Sequence, residues 1–294
     1  MRSAFVLASM AALLGAVGCG SVDKQTQVTV ALSSETEIPK ELDSFAVRVF
    51  STRTGELRFA SDYYPKSGRE FPTTLAVIPF DDDALESPVR IELEGRVGTT
   101  TFLRRQSVVS YVRGRNLLLT MPLRMACFQY KECGPNATCS GGQCVASTVD
   151  TSKLVDFDER FVFGRAGACF DEQACLPGIA SVKVEADCSF AIPVDVELGK
   201  GNVSIRWAAA PSRVLALDEG DAQEGWVRLS KDRGKLSQGA CDSHFGRIGD
   251  DGKPLVADKA ESVYFTAGCA TKTSLVPYCV SEKTQHAGIG AVVP

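Results

Sequence analysis

Cysteine is the residue type with the most chemistry to offer in this sequence. Eleven cysteines occur in 294 residues, and four of them fall in the stretch CFQYKECGPNATCSGGQC. The spacing Cys127-x5-Cys133-x5-Cys139-x4-Cys144 is wider and more even than the close cysteine pairs of structural zinc sites. In an oxidising compartment such thiols form disulfide bonds. We therefore predict two disulfide bonds here, with zinc bound by four thiolates as the alternative.

The amino terminus indicates which compartment the chain reaches. Arg2 is followed by the apolar run AFVLASMAALL and then by small residues directly before Cys19. A positive residue, a short apolar run and small residues are the parts of a secretory signal peptide. The apolar run is shorter than the ~20 residues that a membrane-spanning helix needs. The pattern predicts an exported protein.

The tetrad AVGC, which ends at Cys19, resembles the lipobox of bacterial lipoprotein precursors. The resemblance implies that residues 1–18 are a signal peptide and that cleavage occurs before Cys19. It also implies a diacylglyceryl group on the Cys19 sulfur, an acylated α-amine and a tether over residues 19–25. Gly20, in place of an aspartate that would retain the protein at the inner membrane, implies an anchor in the outer membrane. Whether the protein faces the periplasm or the outside stays open.

Lipidation of Cys19 also accounts for the odd number of cysteines. Eleven minus one leaves ten, which is enough for five disulfide bonds. Six of these ten follow the cysteine-rich stretch. Proximity along the chain predicts the pairs Cys169–Cys175, Cys269–Cys279 and Cys188–Cys241.

The segment CGPNATCSGGQC resembles the first half of an EGF-like module, in which Gly, Asn and Pro separate closely spaced cysteines. The resemblance implies first-to-third and second-to-fourth pairing, which gives Cys127–Cys139 and Cys133–Cys144. From the residues alone, four cysteines allow three connectivities, and these stay open. So small a unit has almost no core. Its two bridges, at about 2–4 kcal/mol each, would be its main stabilisation.

Short apolar segments with a two-residue period lie on both sides of the cysteine-rich stretch. Val89, Ile91 and Leu93 alternate with charged residues, as in a strand with one face in a core and one in water. The predicted strands are Gln27–Leu32, Ser44–Phe50, Thr73–Ile78, Val89–Gly95, Thr101–Val112 and Asn116–Leu123, then Lys153–Phe157, Arg160–Phe163, Ser181–Glu185, Phe190–Leu198, Val203–Ala208, Val214–Leu217, Gly225–Leu229 and Ser262–Thr266.

This pattern predicts an all-β fold of two β-sandwich-like domains joined by a small disulfide-rich segment. Residues 26–125 are predicted to form an immunoglobulin-like or transthyretin-like sandwich, and residues 126–146 the cysteine-rich segment. Residues 147–294 are predicted to form a second sandwich or a jelly-roll-like domain stapled by disulfide bonds. Trp207 and Trp226 lie in or beside strands, where burial is the usual outcome, with carbohydrate stacking as the alternative.

The titratable residues do not form a recognisable catalytic motif. His244 and His286 are the two histidines of the chain, and we expect neither to be catalytic, because an activated nucleophile also needs a base and an orienting group. A carbohydrate hydrolase would need paired carboxylates. The candidates for that alternative are Asp156, Asp158, Glu159, Asp218 and Glu224.

The acidic loop over residues 218–224 could also bind calcium through Asp218, Asp221 and Glu224, although it lacks the EF-hand pattern. We predict no metal and no cofactor, and leave calcium at this loop open. Lys and Arg total 32 against 36 Asp and Glu, which gives a net charge of -4 with scattered basic residues. This balance argues against nucleic acid as a partner.

The lipobox, the segments VRIELEGRVG and FLRRQSVVSYV, and the cysteine-rich stretch together resemble the surface lipoproteins of myxobacteria. The resemblance implies location and architecture, because no agreed activity attaches to that class. We therefore expect a non-enzymatic binding or structural module at the cell envelope, with an envelope protein or polysaccharide as its partner. An accessory subunit of a surface motility or export complex is the first alternative, and an envelope carbohydrate hydrolase is the second.

Overall fold

The computed structural model describes residues 25–36, 41–65, 72–80, 85, 87–128, 133–164, 169–193, 196–197, 199–207, 214–247 and 260–276. Cys19, Cys279 and His286 lie outside these ranges. The lipidation predicted for Cys19 therefore stays a prediction.

The first domain is a sandwich of two β-sheets. Its strands are β1 (Gln27–Ser34), β2 (Ser44–Ser51), β3 (Leu57–Tyr63), β4 (Thr73–Val77), β5 (Val89–Val97), β6 (Thr100–Val109) and β7 (Asn116–Leu123). One sheet has the order β4–β1–β7, with β1 and β7 parallel, and the other has the antiparallel order β3–β2–β5–β6. Alternate apolar residues, such as Val28, Ile91 and Leu117, are fully buried and fill the space between the sheets.

Strand β3 was not predicted from the sequence, and its position explains why. It lies at the edge of its sheet and pairs with β2 alone. An edge strand buries less side-chain area than a central one, so its apolar alternation is weak. Leu57, at its start, is 48% exposed.

A two-stranded hairpin follows the first sandwich. Strands β8 (Ala137–Ser140) and β9 (Gln143–Ala146) are joined by Gly141 and Gly142, which both have positive φ, 57° and 82°. Two-residue hairpin loops of type I′ require this backbone, and glycine adopts it without a steric cost. The disulfide bonds Cys127–Cys139 and Cys133–Cys144 tie the hairpin to the preceding chain. They are the pairs that the EGF-like resemblance implies.

The chain then returns to the first domain. Leu118 N donates to the Val155 carbonyl at 2.9 Å, and Phe157 N donates to the Asn116 carbonyl at 2.7 Å, so this segment runs along β7. Helix α1 (Arg160–Phe163) places Val162 on the outer face of the sheet. Residues 155–162 therefore pack against the first sandwich.

The strand predicted at Lys153–Phe157 is reduced to one antiparallel bridge between Asp156 and Leu117, and the strand predicted at Arg160–Phe163 is wrong. A 3₁₀ turn over Thr151–Lys153 occupies the start of the first segment, and the second is helix α1. Asp158 Oδ1 accepts from Arg160 N at 3.0 Å, and Gly164 follows the helix with φ of 74°. Aspartate before a helix and glycine after it are local end signals that outweigh the β propensity of the three apolar residues Phe161, Val162 and Phe163.

The second domain also contains two sheets. Its elements are α2 (Glu172–Cys175), β10 (Ala180–Ser181), β11 (Ser189–Ala191), β12 (Gly201–Trp207), β13 (Val214–Ala216), β14 (Trp226–Ser230), β15 (Arg233–Leu236), α3 (Gln238–Phe245) and β16 (Ala260–Ala267). The sheet orders are β10–β16–β12–β13 and β11–β15–β14. Trp226 and Phe190, with ring centroids 5.8 Å apart, lie in the core between them. The all-β prediction is confirmed.

Two of the predicted disulfide bonds in this domain are wrong. Cys175 pairs with Cys269 across 94 residues, which excludes both Cys169–Cys175 and Cys269–Cys279. Proximity along the chain failed because Cys175 ends helix α2 and is buried in a small cluster with Cys269. Cys169 is disulfide-bonded as well. The structure does contain the predicted Cys188–Cys241 bond.

Candidate functional site at the domain junction

The chain crosses between the two domains in a single turn. A 3₁₀ turn over Met125–Cys127 follows β7 directly. Met125 and Ala126 are buried in the core of the second domain, whereas Cys127 is buried in the core of the first. Phe128 packs against both cores. Four consecutive residues therefore belong to two cores, which leaves no free linker at this crossing.

The cysteine-rich hairpin is fixed to the first domain through β6. Gln106 N donates to Thr138 Oγ1 at 2.8 Å. The Gln106 side-chain amide donates to the carbonyls of Pro135 and Ala137 at 2.8 and 2.7 Å. Gln106 is 5% exposed, so these bonds satisfy polar groups that water does not reach. Cys139, 2% exposed, adds an apolar contact with the first core.

The tip of the same hairpin lies against the second domain. A Cβ added at Gly239, in α3, would lie 1.3 Å from the Gly141 carbonyl oxygen. A Cβ added at Gly141 would lie 2.2 Å from the Gln223 carbonyl oxygen. Only glycine at these two positions permits the backbones to approach so closely. The Gln143 side-chain amide also donates to Asp242 at 2.9 Å. The hairpin is therefore wedged between the domains.

A cluster of six charged side chains lies beside this wedge. Arg124 is at its centre and reaches carboxylates of both domains. It donates to Glu35 Oε1 at 2.6 Å and to Asp218 Oδ2 at 2.8 Å, and its Nε lies 3.8 Å from Glu224 Oε2. Lys272 Nζ donates to Asp218 Oδ1 at 2.5 Å. Side-chain exposure is 15% for Arg124 and 1% for Asp218.

The cluster is electrically balanced. Arg105 Nη1, on β6, donates to Glu224 Oε1 at 2.6 Å across the junction, and Gly141 N donates to the same oxygen at 3.3 Å. Arg105, Arg124 and Lys272 supply three positive charges, and Glu35, Asp218 and Glu224 supply three negative ones. Buried charges are tolerated when they are paired in this way, and removal of one partner leaves the others uncompensated.

The pKa values in the cluster follow from burial and from opposite charges. Burial lowers the pKa of Arg124, but the neighbouring carboxylates outweigh this and raise it well above the ordinary arginine value. Burial raises the pKa of Asp218 and of Glu224, and the cations beside them reverse the effect and hold both below their usual range. Burial lowers the pKa of Lys272 more than Asp218 raises it. Both carboxyls are therefore ionised near neutral pH.

The acidic loop predicted as a possible calcium site has other partners. Asp218 and Glu224 face guanidinium and ammonium groups. Asp221 Oδ1 accepts the backbone N–H groups of Gln223 and Glu224 at 2.9 and 3.0 Å, which shapes the turn. Within the described ranges, no group of three His, Cys, Asp or Glu residues is placed to hold a metal ion. Two of the three residues predicted as calcium ligands, Asp218 and Glu224, therefore form ion pairs at the domain junction.

The carboxylates considered for a hydrolase do not share a cleft. Asp156 pairs with Arg115 at 2.7 Å, and Asp158 pairs with Arg160, both on the surface of the first domain. Asp218 and Glu224 are the two that the fold brings together, around Arg124. Their burial and their ion pairs leave no room for a sugar ring between them. Glu159 immediately precedes α1.

The remaining candidate residues lie in the second domain. Trp226 is fully buried, as predicted, beside Phe190. Trp207 ends β12, and its side chain lies outside the described part. His244 lies in α3 with its ring against Phe245, the two centroids 4.9 Å apart.

An apolar groove lies elsewhere, between the edge strands β3 and β4 of the first domain. It is shallow and is lined by Val49, Phe59, Leu75, Ala76, Val77, Ile78 and Phe80. Phe80 is 37% exposed, and the Arg58 guanidinium lies 5.3 Å from its ring centroid.

The sequence analysis missed Arg124, Glu35 and Lys272. The sequence held one indication of the cluster. Arg124 directly follows the apolar strand β7 and precedes Met125 and Ala126, and a charged residue is unusual between buried apolar ones.

Among the described residues, no helix is long and apolar enough to cross a membrane. Comparisons with protein-family models, with curated proteins and with solved structures give no match.

Proposed function

We propose that the chain is a non-enzymatic binding or structural module, anchored to the outer membrane through lipid on Cys19, that holds two β-domains at a fixed angle. The observation that carries the proposal is the wedged hairpin: Gln106 fixes it to the first domain, and Gly141 fixes it to the second. An enzyme would need an accessible pair of reactive groups. The best-placed carboxylates, Asp218 and Glu224, are instead neutralised by cations inside the junction.

The disulfide bonds favour an exported protein. Cys127–Cys139, Cys133–Cys144, Cys175–Cys269 and Cys188–Cys241 would be reduced in a typical bacterial cytoplasm. Two of these bridges hold the hairpin that lies between the domains, and such bridges persist outside the cell interior. Rigid presentation on a membrane anchor also lowers the entropy lost when a partner binds. The partner is proposed to be an envelope protein or a polysaccharide.

The membrane anchor is tested by substitution of Cys19. The wild-type chain is expected to incorporate labelled palmitate and to fractionate with outer membranes, and Cys19→Ser is expected to lose the label and to enter the soluble fraction. Ser3→Ala is the control, since it changes the signal peptide without touching the lipobox or any disulfide bond. A Cys19→Ser variant that stays in the membrane fraction would contradict the proposed anchor.

The apolar groove favours a second candidate, an accessory subunit of a surface motility or export complex. Phe80 and Phe59 offer a partner an apolar contact at the open edge of the sandwich. Co-purification from mild detergent tests this candidate. Phe80→Asp is expected to release a bound subunit while leaving the fold intact, because Phe80 is partly exposed already. An unchanged set of co-purified proteins would argue for a free-standing module.

A further inference from the structure

Lys272 is buried, which is rare for lysine. Its side chain is 6% exposed, and the side chain of its partner Asp218 is 1% exposed. Lys272 Nζ donates a hydrogen bond to Asp218 Oδ1 at 2.5 Å. An amine and a carboxyl group therefore face each other at contact distance in a site that water barely reaches.

The backbone holds both residues in register. Glu219 N, adjacent to Asp218, donates to the Lys272 carbonyl at 2.8 Å. Lys272 N donates to Asn202 Oδ1 at 2.7 Å, and Asn202 is fully buried. The fold therefore already holds the Lys272 amine and the Asp218 carboxyl group in contact. Such fixed proximity converts a bimolecular reaction into an intramolecular one, with effective molarities of about 10⁵ M or more.

Asp218 is held differently at its two oxygens. Oδ1 faces the amine of Lys272, and Oδ2 accepts from Arg124 Nη2 at 2.8 Å. A fixed guanidinium at one oxygen is the arrangement that stabilises negative charge developing there during attack on the carboxyl carbon. The geometry supplies a nucleophile, an electrophile and an oxyanion-stabilising group in contact with one another.

We propose that Lys272 and Asp218 condense to an intramolecular isopeptide bond. A proton first passes from Nζ to Oδ1, and the neutral amine then attacks Cγ, forming the Nζ–Cγ bond while Arg124 stabilises the charge on Oδ2. The Cγ–Oδ1 bond breaks, and Oδ1 leaves as water with two of the three ammonium protons. The third proton stays on the amide nitrogen. The reaction needs no oxidant, reductant or further reactant.

The ion pair is the state from which this reaction starts. Burial lowers the pKa of Lys272, which favours the neutral amine that must attack. Burial also raises the pKa of Asp218, but Arg124 and Lys272 outweigh it and lower that pKa, so the carboxyl is ionised until the proton passes to it. The bond would close a loop of 54 residues inside the second domain. It does not depend on the proposed function, because it concerns the maturation of the chain alone.

Mass spectrometry of the reduced, denatured mature lipoprotein tests the proposal. The wild-type chain is expected to be lighter than its calculated mass by one water molecule, and its digest to contain a branched peptide that joins Asp218 to Lys272. Lys272→Arg and Asp218→Ala are expected to have their full calculated masses. A wild-type chain of full mass that yields two separate peptides would overturn the proposal and leave an ion pair. Loss of water in either variant would overturn it too, since the loss would then arise elsewhere. The fragment ions of the wild-type digest show whether the bond between Asp218 and Lys272 exists, even where a variant fails to fold.

Discussion

The sharpest test of the wedged hairpin is the substitution Gly239→Ala. A Cβ at this position would lie 1.3 Å from the Gly141 carbonyl oxygen, whereas ordinary van der Waals contact begins at 3.4 Å. The difference, 3.4 minus 1.3, means that hairpin and helix must separate by about 2 Å. The oxygen belongs to the backbone, and the backbone of Gly239 fixes where the Cβ lies, so no side-chain rotation can relieve the clash. The hairpin tip must leave the second domain.

The cost of this separation is worked from the contacts that it breaks. Overpacking of a tight contact costs about 1–3 kcal/mol. Two hydrogen bonds of the tip, Gly141 N to Glu224 and Gln143 to Asp242, would also lengthen, at about 1 kcal/mol each. Alanine within a helix otherwise contributes up to about 1 kcal/mol relative to glycine, which opposes the loss. We expect a net destabilisation of about 2–4 kcal/mol.

The assay is urea unfolding of the detergent-solubilised protein, followed by tryptophan fluorescence. With a slope of about 2 kcal/mol per molar urea, the unfolding midpoint of the Gly239→Ala variant should fall by about 1–2 M. Gly134→Ala is the matched control in the same segment, because a Cβ there meets no atom within 4 Å. Equal midpoints for Gly239→Ala and Gly134→Ala would refute the close approach of hairpin and helix.

Three further predictions concern the charge cluster and the hairpin bridge. Arg124→Met removes the central cation, which leaves buried Glu35 without its cation and Asp218 and Glu224 with one cation each. The unfolding free energy should therefore fall by about 3–5 kcal/mol, and a change below 1 kcal/mol in urea titrations would argue against a buried cluster. Because the pKa values of Asp218 and Glu224 are lowered in the folded state, their stabilisation is present above the unfolded carboxyl pKa of about 4 and is lost as pH falls through the lowered values. Urea midpoints between pH 2 and pH 7 should show this acid loss in the wild type and a weaker one in Arg124→Met. Replacement of both Cys133 and Cys144 by serine opens a bridge of sequence separation 11 and should cost about 3 kcal/mol, read from the midpoint without reductant; no change would mean that the bridge does not constrain the hairpin.

The strands of the first domain were largely predictable, since their apolar alternation is strong. The prediction Val89–Gly95 falls within the observed β5, Val89–Val97. Prediction was weaker in the second domain, where β11 is three residues long, Ser189–Ala191, and the predicted strand there was Phe190–Leu198. Short strands bury too few side chains to show a period. Helix α3 was missed because its sequence, QGACDSHF, has no apolar stripe.

The disulfide pairs also differed in how well the sequence predicted them. Within the compact hairpin segment, order along the chain leaves few geometries, and the EGF-like pairing agrees with the structure. Cys175 and Cys269 are 94 residues apart, and only the packing of α2 against the second domain brings them together. A pairing rule based on sequence distance has no access to that contact.

The sequence by itself determined the all-β class, most strands of the first sandwich and the cysteine-rich stretch between two β-regions. These features depend on local periodicity and on spacing, which are written in consecutive residues. Only the tertiary structure decided that the stretch is a wedge and that Arg124 joins Glu35, Asp218 and Glu224 in one buried cluster. Glu35 and Asp218 lie far apart in the chain. Their shared contact with Arg124 forms only when folding brings the three side chains together and removes the water between them.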